Sequence, residues 1–416
     1  MTPVLKVKHA REILSLIPYQ LGFQPSNSVV VVSLRGQTRQ VGMIARVDIE
    51  DAYSPHSTVS DTLIDRCVKD GATAIFVACY LDESTQNEAV KKLQHTFNAV
   101  DKAVQGKLDI IERWVISPNA YTHWPHCSEQ HPEPCPLHWE PRDLLHTTHI
   151  SAHMVYDGRQ VLPSREALAV IEKSEEQRRA VHAQTYQRHV QVRARSAVSH
   201  RIMAWRLARI AEWDDLLAAY GEKQLPDRCE SKASRAVHEE ESSRYRATSL
   251  STGKLAAALE DHVVRDAMII SVTSLGMSAA RTFIAHFFMF KPSESYQEVS
   301  ETSADKRSVY DEIAEDAIAK IIDVRRAEKP DAVVLNAAVE LLKTVISDAE
   351  SHGQVAPHAL IALLEWWRGN AVVARAYADA ALTVDASYGL AVKVAAVINS
   401  GLPSGWQRQQ LRVGLP

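Results

Sequence analysis

Residues Ala72 to Tyr80 read Ala-Thr-Ala-Ile-Phe-Val-Ala-Cys-Tyr, a run that is apolar at nearly every position. Successive side chains of a strand point to opposite faces, so this composition predicts a strand that is buried on both faces. Ser28-Val-Val-Val-Val-Ser-Leu34 has the same character and is rich in β-branched residues, which favour strands. These two segments predict an α/β domain in which helices cover a sheet.

The segments around these two strands alternate between helical and strand-like patterns. Apolar spacing predicts a helix from Val7 to Ile17, and Pro18 is expected to end it. A turn containing Gly36 predicts a hairpin to a second strand, Val41 to Ile49. Helices are predicted at 58–69 and 83–105, and a third long strand at 107–117. The strand–helix–strand order of 72–117 implies a parallel pair with a right-handed crossover, and hence a mixed, partly parallel sheet.

From Ser164 onward the pattern changes to successive helices, with apolar residues spaced by three and four. The predicted organisation is an α/β domain over 1–162 and a larger all-α region over 163–416, with a polar linker near 225–251. The pattern from Trp366 to Tyr388 resembles the second half of a tetratricopeptide helical hairpin. One such unit is too little for a free-standing solenoid, so this tetratricopeptide-like hairpin is expected to pack on the other helices.

Composition restricts the class of protein. A chain of 416 residues is expected to form two or three domains. The net charge of −4 gives no overall attraction to nucleic acid. No apolar run reaches the roughly 18–20 residues of a membrane-spanning helix, and the start lacks the apolar region of a secretory signal. The five cysteines are odd in number and sparse, which does not suit a disulfide framework, so a cytoplasmic protein is predicted.

A loop over 121–153 is rich in cysteine, histidine and proline. Four of its residues have the spacing C-x3-H-x3-C-x2-H and could together hold a zinc ion, which prefers thiolate and imidazole ligands: Cys127, His131, Cys135 and His138. The spacing matches no established finger or ribbon. A redox pair and a rigid, solvated surface loop are the alternatives. His146, His149 and His153 form a second group that would share one face of a helix.

The segment 178–209 contains eight arginines and no acidic residue. Arginine binds phosphate oxygens in a bidentate manner, so a helix of this composition could bind nucleic acid or another polyanion. Acidic residues before and after the segment could instead pair with the arginines inside the fold. The candidate polyanion-binding residues are Arg178, Arg179, Arg188, Arg193, Arg195, Arg201, Arg206 and Arg209.

Catalytic motifs are absent from the sequence: it has no phosphate-binding P-loop, no dinucleotide-binding glycine pattern, no nucleophile elbow and no HExxH zinc-protease motif. Arg46 and Asp48 lie two apart near the end of a predicted strand, where they could border a cleft, although an ion pair is the favoured interpretation. Arg265 and Asp266 lie within a predicted helix and are expected to form a buried ion pair between helices.

Several ordered motifs resemble the bacterial, mostly actinobacterial, domain-of-unknown-function family numbered 4192. They begin with 17–28, Ile-Pro-Tyr-Gln-Leu-Gly-Phe-Gln-Pro-Ser-Asn-Ser, followed by Arg46-Val-Asp-Ile49. Further matches are 124–136, 156–159, 162–166, 264–267, 367–370 and 401–403, so the resemblance extends over nearly the whole chain. Pro134 precedes Cys135 where the family often has two adjacent cysteines. The resemblance implies an architecture and no particular reaction.

The sequence favours a non-catalytic interaction or regulatory protein. The C-terminal hairpin would supply a surface for an unknown protein partner, and no membrane association is expected. Two alternatives remain: an enzyme with a cleft in the α/β domain, and a nucleic-acid or polyanion binder that uses 178–209. A pocket around Arg46 with perturbed ionisation would favour the enzyme. A buried ion pair at that place would favour the interaction protein.

A zinc site in the Cys/His loop makes a direct prediction. Protein purified without a histidine tag should contain stoichiometric zinc by elemental analysis, and chelator should lower its melting temperature, since structural zinc contributes to folding. Zinc-free protein whose melting is insensitive to chelator would exclude a metal at Cys127, His131, Cys135 and His138.

Overall fold

The computed structural model describes residues 9–53, 59–82, 86–124, 137–156, 159–196, 201–222, 248–289 and 309–413. The chain divides into two compact units, Met1–Leu168 and Ala169–Pro416. We call the first the α/β unit and the second the helical unit. As the sequence predicts, a unit with a mixed sheet is followed by a larger all-helical one. Among the described helices, none has the length and apolar composition needed to cross a membrane.

The α/β unit contains a six-stranded sheet in the order β2-β1-β3-β4-β5-β6. Its strands are β1 (Ser28–Arg35), β2 (Gln40–Asp48), β3 (Ala72–Tyr80), β4 (Asp109–Ile116), β5 (Ala120–His123) and β6 (Glu140–Pro141). Its α-helices are α1 (Ala10–Leu21), α2 (Ile49–Tyr53), α3 (Val59–Lys69), α4 (Gln86–Val104) and α5 (His149–Tyr156), and Arg142–Thr147 forms a 3₁₀ helix.

The strand pairing confirms the predicted mixed sheet. β1 pairs antiparallel with both β2 and β3, whereas β3 and β4 are parallel and α4 connects them. The hairpin predicted around Gly36 is present, with Arg35 opposite Gln40. β5 and β6 extend the sheet by antiparallel pairing, and the sequence pattern did not predict either of them.

The central strands are buried on both faces because helices lie on each side of the sheet. Val29 and Val31 of β1 belong to a core that includes Phe97 and Val100 of α4. Val30 and Val32, on the opposite face, are also completely buried. The apolar runs that predicted the two strands therefore reflect burial between two layers.

The prediction that Pro18 ends the first helix is wrong. Helix α1 continues through Pro18 to Leu21 and ends at Gly22, whose φ of 81° lies in the left-handed region that favours glycine. Proline removes only the hydrogen bond that its own N–H would make to the carbonyl of Leu14. The N–H of Gly22 still donates to the Pro18 carbonyl at 2.8 Å, so the last turn is retained.

Asp70 connects the end of α3 to the β1–β2 hairpin. Its carboxylate accepts hydrogen bonds from Ser33 Oγ at 2.5 Å, Arg35 Nε at 2.9 Å and the Met43 N–H at 2.9 Å. Burial alone would raise the pKa of Asp70, but these donors outweigh it and lower that pKa. A Cβ on Gly42 would lie 2.5 Å from Asp70 Oδ2, so only glycine lets β2 approach this carboxylate.

The helical unit begins with α6 (Glu176–Ser196) and α7 (Arg201–Glu222), and continues with α8 (Ser249–Leu259), α9 (His262–Ser271) and α10 (Gly276–Met289). Its later helices are α11 (Val309–Ile322), α12 (Ala332–Asp348), α13 (Ser351–Arg368), α14 (Ala371–Val384), α15 (Gly389–Asn399) and α16 (Gly405–Val413). The predicted polar linker, 225–251, lies mostly outside the described residues.

A helical hairpin is present at the predicted C-terminal position. α13 ends at Gly369, whose φ of 100° is left-handed, and α14 starts two residues later at Ala371. Trp366 and Trp367 are almost fully buried, and their indole N–H groups donate to the carbonyls of Leu402 and Glu328. The hairpin therefore packs on neighbouring helices and does not stand free.

A buried polar network joins α6, α8 and α12. The Asp348 carboxylate, whose side chain is 0% exposed, accepts from Arg178 Nε at 2.6 Å and from Thr252 Oγ1 at 2.7 Å. Thr252 Oγ1 also lies 3.0 Å from His182 Nδ1. Burial lowers the pKa of His182. The pKa of Asp348 is also lowered, because its hydrogen bonds, led by that from Arg178, outweigh its burial.

Replacing Asp70 tests the link between α3 and the hairpin. We expect Asp70→Asn to lower the free energy of unfolding by about 2–3 kcal/mol, because it weakens charge-assisted hydrogen bonds in a half-buried place. Urea unfolding measures the change. Asp65→Asn, at an exposed position of α3, is the matched control and should have little effect. Equal effects of the two substitutions would contradict this role of Asp70.

The buried network makes the stability depend on pH. The unfolded state takes up a proton on His182 near pH about 6.5, whereas the folded state resists it, so the free energy of unfolding should fall between pH 7 and 5. The contribution of Asp348 is present above about pH 3.9 and is lost as the pH falls through its lower folded pKa.

Urea unfolding at several pH values measures both losses. His182→Gln should reduce the loss between pH 7 and 5, whereas Gln187→Ala, at an exposed position of the same helix, should leave it unchanged. A His182→Gln variant with the wild-type pH dependence would show that this histidine titrates alike in both states.

Candidate functional site

A pocket of about 560 Å³ lies in the α/β unit beside the first turn of α1. The remainder of its wall comes from β4, β5, β6 and the start of α5. The residues that line it are His9, Ala10, Arg11, Glu12, Trp114, Tyr121, Glu140, Thr147, Thr148 and His149. This volume falls within the range of roughly 300–1,000 Å³ that is typical of small-molecule sites.

Glu140 holds the two sides of the pocket together. Its Oε2 accepts from Arg11 Nη2 at 2.6 Å and from the Tyr121 hydroxyl at 2.7 Å. Tyr121 and Glu140 are opposite residues of the β5–β6 pair, and Arg11 comes from the first turn of α1. Burial and the bond to Glu140 raise the pKa of Tyr121. Burial would lower the pKa of Arg11, but Tyr121 and Glu140 outweigh it and raise that pKa.

A second carboxylate lies beside a histidine at the same pocket. Glu12 Oε1 is 3.1 Å from His149 Nδ1, and the Glu12 side chain is only 9% exposed. The N–H of His9 donates to Glu12 Oε2 at 3.4 Å. Thr148 precedes α5 and accepts the Ser151 N–H on its hydroxyl at 3.1 Å, so it caps this helix and fixes His149 at the first position.

Two aromatic rings contribute an apolar surface. The ring centroids of Trp114 and Tyr121 are 5.8 Å apart, and His123 meets Trp114 edge-on at 5.3 Å. The Trp114 indole N–H donates to Glu112 Oε2 at 2.6 Å, which fixes the ring on β4. The pocket thus combines a guanidinium, two carboxylates, imidazole groups and an aromatic surface.

The sequence did not single out Arg11, Glu140, Tyr121 or Trp114 as site residues. Arg11 and Glu140 are 129 residues apart, and β6, which carries Glu140, is two residues long. No local spacing could have connected them. His149 was singled out, and the structure places it in the pocket.

The predicted metal ligands Cys127, His131 and Cys135 lie outside the described residues. His138 is described and exposed, and its carbonyl accepts from Thr122 Oγ1 at 2.8 Å. Among the described residues, no group of three or more histidine, cysteine, aspartate or glutamate side chains is placed to hold a metal ion. The zinc site remains a prediction.

The second histidine group is divided in the structure. His149 and His153 lie four apart on α5 and share a face, as expected for a helix. His146 belongs to the preceding 3₁₀ helix and lines a different, smaller cavity. The three side chains therefore do not meet at one point.

Arg46 and Asp48 form an ion pair, with 2.6 Å between Arg46 Nη2 and Asp48 Oδ1. The Arg46 side chain is only 12% exposed, and burial lowers its pKa. Its guanidinium also lies 6.0 Å from the ring centroid of Phe23. Neither Arg46 nor Asp48 lines the 560 Å³ pocket. This geometry agrees with the favoured interpretation of a structural pair.

The prediction of a buried ion pair between helices at Arg265 and Asp266 is wrong. Arg265 Nη2 lies 2.9 Å from Asp266 Oδ1, on the adjacent residue of the same helix. Arg265 connects to another part of the unit through Nη1, which donates to the Tyr388 hydroxyl at 3.3 Å. The residue next to Arg265 is therefore its ionic partner, and the contact beyond the helix is to a neutral group.

The arginine-rich segment forms parts of two helices, α6 and α7. Several of its arginines have acidic partners within the helical unit. Arg178 binds Asp348, Arg206 binds Asp261 at 3.0 Å, Arg209 lies 3.0 Å from Glu212, and Arg179 lies 3.9 Å from Glu350. Arg193 is half-buried, whereas Arg188, Arg195 and Arg201 are exposed. Polyanion binding by this segment remains a prediction.

Residues 11–287 match a family model described as Domain of unknown function (DUF4192). Two of the motifs that suggested this family, 367–370 and 401–403, lie beyond the matched range, so the match is shorter than the motifs implied. A comparison with curated proteins and another with solved structures found no match. Because the family model covers more than half of the chain, the protein belongs to the DUF4192 family.

Proposed function

We propose that the protein is a non-catalytic regulatory protein whose α/β unit binds a small zwitterionic molecule with an apolar part, such as an amino acid. The observation that carries the proposal is the composition of the 560 Å³ pocket. Arg11 and Glu140 present charges of opposite sign in one cavity, and Trp114 and Tyr121 supply an apolar wall. A few polar groups at an apolar surface are typical of small-molecule sites.

Each charged group keeps capacity for a ligand. A guanidinium has five N–H donors, and Arg11 donates to Glu140 only through Nη2. The other donors could bind a ligand carboxylate in the bidentate manner that arginine favours. Both hydrogen bonds to Glu140 reach Oε2, and no described residue donates to Oε1. That oxygen could accept from a ligand ammonium group.

Recognition is proposed in preference to catalysis because of the state of the pocket's ionisable groups. General acid–base catalysis is most efficient when a group has a pKa near the working pH. The pKa of Tyr121 is raised, away from neutrality. Glu140 already pairs with Arg11, and Glu12 lies beside His149.

We further propose that the helical unit binds a protein partner. Its support is the C-terminal hairpin of α13 and α14, which is of the kind that presents a surface to peptides in helical-repeat proteins. Ligand binding in the α/β unit would provide the signal, and the partner would receive it.

Calorimetric titration with amino acids that have apolar side chains tests the proposed ligand. We expect one or more to bind, and the matched N-acetyl and amide derivatives to bind at least about ten-fold more weakly, since each lacks one charged hydrogen-bonding group. Arg11→Gln should weaken binding of the free amino acid but not of its amide. Glu140→Gln should weaken binding of the free amino acid but not of its N-acetyl derivative.

Arg39→Gln is the matched control, because Arg39 is exposed in the β1–β2 turn and does not line the pocket. It should bind as the wild type does. Failure of the whole panel to bind at millimolar concentration would contradict the proposal. Equal affinity for free amino acids and both blocked derivatives would also contradict it.

A further inference from the structure

A second, smaller cavity of about 60 Å³ lies in the α/β unit and shares no lining residue with the pocket. Its polar lining residues are Ser15, Tyr19, Gln24, Tyr80, Arg142 and His146. Tyr80 is the last residue of β3, whose parallel neighbour is β4. Ligands of open α/β sheets typically bind outside the carboxyl ends of parallel strands.

The Tyr80 hydroxyl is buried without a hydrogen-bond partner. The residue is 2% exposed, and no group among the described residues bonds to its hydroxyl oxygen. Ser28, opposite Tyr80 in the β1–β3 pair, also has a buried hydroxyl without a partner. Burial raises the pKa of Tyr80, so the phenol stays protonated and can donate. Buried polar groups in native proteins nearly always have a partner, which can be a bound molecule.

Arg142 brings a positive charge to the same cavity. Its Nη1 donates to the carbonyls of Ser117 and Pro118 at 3.2 and 3.4 Å. Burial lowers its pKa, and Tyr80 and Asp143 oppose that effect, so Tyr80 lies close enough to interact with the guanidinium. In the described parts of the chain, no carboxylate lies within ion-pair distance of Arg142. A partly buried cation of this kind is stabilised by a counter-charge.

We propose that this cavity binds a small monovalent anion, such as chloride or formate, between the Tyr80 hydroxyl and the Arg142 guanidinium. An anion accepts hydrogen bonds from both donors and balances the charge of Arg142. A water molecule would leave that charge unbalanced, since no aspartate or glutamate is among the residues that line the cavity. The small volume excludes larger organic anions. The site is independent of the zwitterion pocket, since the two share no residue.

Bromide is a suitable probe because it resembles chloride and scatters anomalously. Thermal unfolding of the full-length protein is measured with increasing sodium bromide at constant ionic strength, with gluconate as the balancing anion. Gluconate is monovalent but too large for the cavity. We expect a saturable rise in melting temperature with bromide, and an anomalous peak between Tyr80 and Arg142 in crystals grown with it. Equal melting in bromide and gluconate, or a cavity that holds only water, would overturn the proposal.

Two variants remove one donor each. Tyr80→Phe and Arg142→Gln should each lower bromide affinity at least about ten-fold, because each loses a hydrogen bond to the anion. In gluconate, Tyr80→Phe should be at least as stable as the wild type, since it removes an unpaired hydroxyl. Tyr156→Phe is the matched control: it removes an exposed phenol hydroxyl of the same unit, outside both cavities, and should retain bromide affinity. A Tyr80→Phe variant with wild-type bromide affinity would overturn the site.

Discussion

The Glu140 carboxylate is the contact on which the arrangement around the 560 Å³ pocket depends. It accepts from Arg11 of α1 and from Tyr121 of β5, and thereby fixes the first turn of α1 to the edge of the sheet. Since β6 contains only two residues, backbone pairing alone would hold this segment weakly. A second contact, from Ser15 Oγ to the Leu145 carbonyl at 2.5 Å, holds the middle of α1 to the same stretch of chain. The pocket lies beside the first of these contacts, and the smaller cavity is lined by Ser15 and Leu145 of the second.

The central sheet could be predicted from the sequence because complete burial leaves a pattern that needs no knowledge of partners. β1 and β3 lie between two layers, so both of their faces are apolar. The chain between β3 and β4 is long enough to form a crossover helix, which two parallel strands require. β5 and β6 are short and partly polar, and their existence depends on pairing with residues that are distant in sequence. The end of α1 was predicted wrongly because the rule that proline stops a helix rests partly on the one hydrogen bond that proline cannot make. In the structure the helix continues past Pro18, and Gly22 determines where it ends.

At the candidate sites, too, local patterns could be seen in the sequence, whereas contacts between residues far apart in the sequence could not. The sequence revealed the run of positive charge in 178–209 but not the buried acids that meet it, because Asp348 lies 170 residues from Arg178. The sequence did not reveal the pocket for a similar reason: Arg11 and Glu140 are in contact but lie 129 residues apart in the sequence. Arg46 and Asp48, which are close in sequence and share a face of β2, were correctly interpreted as a pair.

The two borders of the sheet are unequal, and this affects how the protein could self-associate. β2 forms one border over nine residues, whereas β6 forms the other over two. A border strand presents unpaired amide and carbonyl groups that can recruit a strand from another molecule. Of the two border strands in the described part of the chain, only β2 is long enough to do so to any extent. The β2 border is therefore the side of the sheet at which a further strand could pair, and a proline at one of its outward-facing amides would oppose that pairing.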